Sequence, residues 1–198
     1  GAVKHAVRDA GSGVDLLVAQ GHDAGGHNSR IGTMALLPQV VDAVEGRVPI
    51  VAAGGIASGR QIVAALVLGA IGVWMGSRFL VAEEANIPRF QKEQLLTAGE
   101  DDTVVTKTLT GKPARLLKNA WTEEFEASGL KPLPTPLQSF ISNPVMAAAT
   151  KAQDPSISVT AVSQTAGMLH KIQPAGEIVA ELVSEVEQLL EEQPWLHR

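Results

Sequence analysis

Val3, Ala6, Val7 and Ala10 fall at helical spacing, and Gly11 and Gly13 end that pattern before a mostly apolar run over residues 14–19. Such a run between glycines predicts a buried strand. It gives way to Gln20-Gly21-His22-Asp23-Ala24-Gly25-Gly26-His27, a polar, glycine-rich loop, after which Met34, Leu37, Val41 and Val44 mark one face of a second helix. Pro38 falls in the first turns of that helix, where proline is tolerated. The cycle then repeats. Residues 48–53 predict a strand, Gly54-Gly55-Ile56-Ala57 a tight loop, and Ser58 with Gln61 a capping box that opens a helix ending near Gly69. Residues 71–75 predict a third strand running into Gly76-Ser77-Arg78.

Strands alternating with amphipathic helices at this spacing predict an α/β fold with a parallel sheet, either open or closed into a barrel. In both architectures ligands meet the C-terminal ends of the strands, so the loops at 20–27, 54–57 and 76–78 are expected to converge on one site. Beyond residue 82 the pattern changes. Residues 83–98 predict a helix and 103–109 a strand, while Pro132, Pro134 and Pro136 mark an extended, helix-free stretch. Ile178, Leu182, Val186 and Leu189, with Glu181, Glu185 and Glu187 around them, predict a final amphipathic helix with an acidic outer face.

Composition narrows the chemistry. The 198 residues are 45% hydrophobic and 19% charged, with a formal net charge of −5, as expected of a soluble globular protein that does not bind nucleic acid. Cysteine is absent, which removes thiolate nucleophiles, cysteine zinc sites and cysteine-ligated iron–sulfur clusters. The longest apolar run, residues 62–76, lies between Arg60 and Arg78 and is shorter than the ~20 residues of a membrane span. The expected location is cytoplasmic, with no membrane partner. The chain opens on Gly1 without a methionine and reads as a fragment, and an open strand edge would favour a homo-oligomer.

Glycines that admit a ligand to backbone N–H groups at a helix start form an anion site. Gly54 and Gly55 before the Ser58 helix, and Gly76 and Ser77 after the next strand, have this arrangement. Loops after the last two strands are the usual phosphate clamp of a (βα)8 barrel. His27 follows two glycines at the ligand-binding face, where an imidazole can accept a proton or polarise a substrate oxygen. His22 is expected to play a hydrogen-bonded supporting role and Asp23 to cap the turn, with no metal site. His170 and His197 are expected to carry no chemistry.

Residues 19–27, Ala52-Ala53-Gly54-Gly55-Ile56-Ala57 and Met75-Gly76-Ser77-Arg78-Phe79 together resemble the nitronate monooxygenase family. The similarity continues through residues 82–85, 111–115, Asn119 and 163–168, and so spans nearly the whole chain. The resemblance implies an FMN-containing (βα)8 TIM barrel, with residues 1–82 forming its last three βα units and residues 83–198 a mainly helical C-terminal region packed on it. It also implies that His27 stands beside the flavin as catalytic base or substrate-orienting group. By the same resemblance Gly54, Gly55, Gly76 and Ser77 hold the FMN phosphate, and Gln20, Gly21 and Gly26 border the flavin. Gln164 falls in the family's glycine–glutamine stretch near the flavin, with Ser163 where the family has glycine. The implied reaction is oxidation of an alkyl nitronate by O2 to a carbonyl compound and nitrite. The same motifs occur in flavin-dependent, NAD(P)H-using reductases of enoyl thioesters or quinones, which form the alternative. A third reading is an inactive fragment that needs its N-terminal half.

Overall fold

The computed structural model describes residues 1–192, so His197 lies outside the described residues. Three parallel strands, β1 (Leu17–Gln20), β3 (Ile50–Ala53) and β4 (Gly72–Trp74), form a sheet in the order β1-β3-β4. Their register aligns Gln20, Ala53 and Trp74 on one rung at the C-terminal edge. The helices α1 (Val3–Ala10), α2 (Thr33–Val44) and α3 (Gly59–Val67) lie on one side of this sheet. There Leu36, Leu37, Val40 and Val44 pack with Ala19, Ile50, Ala52 and Ala65. Because side chains alternate along a strand, Val18 and Trp74 stand on the opposite face, where they are 38% and 63% exposed.

The strands are shorter than the apolar runs that announce them. Pro49 has no N–H to give to a ladder, and β3 begins at Ile50, although the Pro49 carbonyl still accepts from Leu17 N–H at 3.0 Å. β1 therefore starts only where β3 runs alongside it, and Val14 and Leu16 remain exposed. The helix expected over 83–98 begins at Arg89, because Pro88 adopts an extended conformation at its start. The preceding turns are fastened by the buried Lys92, whose ammonium donates to the carbonyls of Ala82 (2.7 Å) and Glu83 (3.1 Å). The capping box expected at Ser58 is displaced by one residue. Gln61 Oε1 accepts from Ala57 N–H at 2.8 Å, and the Ser58 hydroxyl caps nothing.

A second sheet was not legible in the sequence. β2 (Gly26–His27), inside the expected loop, pairs antiparallel with β6 (Ala114–Leu117), which pairs in turn with β5 (Thr103–Thr106). This sheet joins the loop after β1 to the C-terminal half of the chain. After β6 come α6 (Ala120–Ala127), with an Asn119–Thr122 capping box, and α7 (Leu137–Ala152), which starts after the proline-rich stretch. The short α4 (Ser77–Leu80) and α5 (Arg89–Leu96) follow β4, and a 3-10 helix at Gln164–Met168, which packs on α4 and α5, and α8 (Ala175–Glu192) complete the described chain. α8 buries Ile178 and Leu182 against Ala82 and runs along α3. Among the described residues, no helix is long and apolar enough to cross a membrane.

Candidate active site

The loop after β1 turns back sharply and packs against α2. A Cβ on Gly21 would stand 2.5 Å from Thr33 Cα and closer still to Thr33 N and Oγ1, so only glycine permits this approach. Asp23 Oδ2 accepts from Thr33 N–H at 2.6 Å and so caps the start of α2, ten residues on, rather than its own turn as expected from the sequence. His22 Nδ1 lies 2.5 Å from the Ser29 carbonyl, in the supporting role expected of it. Gly55 adopts φ +71°, and a Cβ there would press on Asp23 Cβ at 2.7 Å, so the loops after β1 and β3 interlock.

The ends of the three parallel strands open into one cleft of about 210 Å3. Gln20, Gly54, Gly55, Trp74, Gly76, Ser77 and Ser163 are among its walls. The N–H groups of Gly54, Gly55, Gly76 and Ser77 have no acceptor among the described residues. Ser77 is buried, and its Oγ accepts from Ser163 N–H at 2.9 Å, which leaves the hydroxyl proton to donate elsewhere. Four amides and a hydroxyl converging on an open cleft form a donor set for a phosphate-like anion.

The start of α3, expected to share in that site, is occupied by the protein itself. Glu185, on α8, accepts from Gly59 N–H at 2.5 Å, and Gln61 takes the Ala57 N–H. A carboxylate already satisfies the helix dipole there, which leaves the two strand-end loops as the candidate anion donors.

The other sequence-derived residues are dispersed around this cleft. Gly21 spends its N–H on Ala53 O (3.0 Å) and lies behind the cleft, against α2. Gly26, at φ +73°, belongs to β2, while its neighbour Gly25 lines the cleft. Gln164 faces an adjoining cavity of about 460 Å3 between α2 and α3, which it shares with Asp23, Thr33, Gly54 and Gly55. Its N–H donates to Asp23 O at 3.0 Å, and the cleft wall at this point is Ser163. His27 is exposed and is not among the residues that line the cleft. Its carbonyl accepts from Gln20 Nε2 at 2.8 Å, and its Nε2 lies 2.6 Å from Thr110 Oγ1.

Beneath that loop lies Arg115 on β6, 4% exposed and opposite Gly26 in the ladder. It donates to Thr103 Oγ1 at 3.0 Å and to the His22 carbonyl at 3.1 Å. Burial pulls its guanidinium below the ordinary value, and the Asp23 charge pulls it partly back.

Sequence reasoning missed Trp74, Thr110 and Ser163 as parts of the site. Trp74 was read only as a strand residue, although the alternation along 71–75 assigns it to the face opposite Val73. Thr110 lies 83 positions from His27 and carries no local signal for that contact.

A family model described as nitronate monooxygenase matches residues 1–185. The Mycobacterium tuberculosis protein Rv1533, named as a monooxygenase, is 46% identical over 192 residues, covering 93% of this chain and 51% of the relative. A probable nitronate monooxygenase of Staphylococcus aureus is 33% identical over 199 residues, covering 96% and 55%. The chain thus spans about half the length of the curated relatives it matches. Among solved structures, nitroalkane oxidase of Streptomyces ansochromogenes superposes with a TM-score of 0.86 at 33% identity, covering 94% of this chain and 56% of that one. FabK of Thermotoga maritima superposes at 0.82 and 30%, covering 98% and 61%. With a family model matched over residues 1–185 and a curated relative 33% identical over 199 residues, the chain belongs to the nitronate monooxygenase family.

Proposed function

We propose that this chain carries the phosphate-binding and proton-accepting elements of an FMN-dependent nitronate monooxygenase, which oxidises alkyl nitronates with O2 to a carbonyl compound and nitrite. The observation that carries the reading is the set of four unpaired amides at the ends of adjacent strands β3 and β4. These residues fit the group, since a dianionic phosphate needs several donors and no nearby carboxylate, and among the described residues the cleft wall contains no acidic side chain. The bare sheet face at Val18 and Trp74 suits a parallel sheet curved into a (βα)8 barrel, with residues 1–82 as its last three βα units and residues 83–198 as the C-terminal region.

Bound FMN would supply the redox chemistry, accepting electrons from the nitronate and passing them to O2. Gly54, Gly55, Gly76 and Ser77 would hold its phosphate, and Gln20 would border the ring from the end of β1. His27 removes the α-proton of a neutral nitroalkane, leaving the nitronate and an imidazolium. Gln20 couples these parts, because its amide holds the His27 carbonyl while its side chain lines the cleft. His27→Asn is expected to lose turnover of neutral nitroalkane while keeping most of its turnover of preformed nitronate. Equal retention on both substrates would overturn the base assignment, and a purified protein that carries no FMN and takes none up would overturn the cofactor.

A second reading, an NAD(P)H-dependent reductase of an enoyl thioester or quinone, is favoured by the superposition on FabK. Rapid bleaching of bound FMN by NADH in the absence of nitronate would select it. The expected cytoplasmic location and homo-oligomer belong to the same proposal and are tested by fractionation and light scattering.

A further inference from the structure

The loop between β5 and β6 is held more tightly than a connection of its length requires. Three consecutive carbonyls, those of Thr108, Leu109 and Thr110, each accept a side-chain hydrogen bond from α7 or the turn before it. Gln138 Nε2 donates to Thr108 O at 2.7 Å, Ser142 Oγ donates to Leu109 O at 2.6 Å, and Thr135 Oγ1 donates to Thr110 O. Gln138 is 3% exposed and Ser142 0% exposed, so these are buried polar groups spent on positioning a loop. Gly111 follows at φ +78°, where a Cβ would meet the backbone of residues 133–135, and its N–H closes the turn on Lys107 O at 2.9 Å. The group presented by this clamp is the Thr110 hydroxyl, 2.6 Å from His27 Nε2. On the other side, His27 is held by its pairing with Ala114 and by Gln20.

We propose that Thr110, fixed by the α7 clamp, is a positioning residue that accepts the Nε2–H of His27 and leaves Nδ1 as the proton-accepting nitrogen. His27 Nδ1 has no partner among the described residues. A hydroxyl oxygen has two lone pairs, and here they serve His27 and the Lys112 N–H, the latter at 3.4 Å. When His27 takes the substrate proton at Nδ1, the Nε2–H···Oγ1 bond persists and becomes charge-assisted, so the ring need not turn during transfer. The C-terminal region thereby acts on the chemistry through one hydroxyl and touches no substrate. This inference rests on the assignment of His27 as the base.

The test compares Thr110→Val, which keeps the shape and removes the acceptor, with Thr110→Ser, which restores it. In the wild-type protein, 15N-labelled histidine is expected to show a His27 Nε2–H resonance protected from exchange with solvent. Thr110→Val should lose that resonance and lower kcat on neutral nitroalkane about ten-fold or more, with KM and Tm little changed. Thr110→Ser should recover both. An unchanged, protected His27 signal in Thr110→Val, or loss of function in Thr110→Ser equal to that in Thr110→Val, would overturn the proposal. A lost signal with unchanged turnover would overturn the positioning role of Thr110, while the base assignment of His27 is decided separately by the His27→Asn comparison. Ser142→Ala, which removes one clamp bond, should weaken the same resonance without abolishing it, and an unaffected resonance would refute the clamp.

Discussion

Gly76 and Gly21 both sit in strand-end loops, yet the structure assigns them opposite roles, which a pair of alanine substitutions separates. A Cβ at Gly76 meets nothing within 4 Å, and its φ of −103° and ψ of −60° suit an L residue. Gly76→Ala should therefore be stability-neutral or stabilising by about 0.4–1 kcal/mol, through the reduced entropy of the unfolded chain. The new methyl group enters the open cleft where the unpaired Gly76 N–H lies, so a phosphate there loses a charge-assisted hydrogen bond. At about 1.5–3 kcal/mol for such a bond, FMN affinity should fall roughly 10- to 150-fold. Gly21→Ala is the converse. Its Cβ collides with the backbone of Thr33, which α2 cannot move without shifting Leu36 and Leu37 in the core. Overpacking of this kind costs about 1–3 kcal/mol, a fall in Tm of about 2–12 °C for a chain this size. The assays are thermal unfolding without FMN and titration of FMN followed by its fluorescence. Wild-type FMN affinity in Gly76→Ala, or a loss of stability there equal to that of Gly21→Ala, would refute the assignment of the cleft.

Two further outcomes follow from the same geometry. Trp74 lines the cleft with 63% of its surface exposed, so FMN binding should quench tryptophan emission and Trp74→Phe should remove the larger part of that quenching; undiminished quenching would show that the ring binds elsewhere. Hydrogen bonds from Lys171 and then from Gln173, with the charge of Arg78 adding to them, hold Glu181 below its ordinary value of 4.5. A carboxylate depressed in the folded state contributes stability that is fully present above its unfolded pKa and is lost as the pH falls through the folded one. Wild-type Tm should therefore drop below about pH 4.5 more steeply than that of Glu181→Gln, and parallel acid limbs would dismiss the contribution.

The alternating α/β order, the three parallel strands and the convergence of their loops were legible in the sequence, because hydrophobic period and glycine punctuation are local properties that survive without tertiary context. Gly54, Gly55, Gly76 and Ser77 could be named as candidate anion donors for the same reason: each is adjacent to a strand end that the pattern locates. Tertiary structure decided which of the expected donors are free. Nothing local to Ser58 reports that Glu185, more than a hundred residues away, closes the start of α3, or that Ser163 rather than Gln164 reaches the cleft wall. β2 is too short to carry a period and exists only because β6 pairs with it, and that pairing sets His27 against Thr110. The sequence thus determined which backbone could bind an anion, since that depends on neighbours along the chain. The orientation of the histidine depends on hydrogen bonds between distant segments, and only the folded chain brings those together.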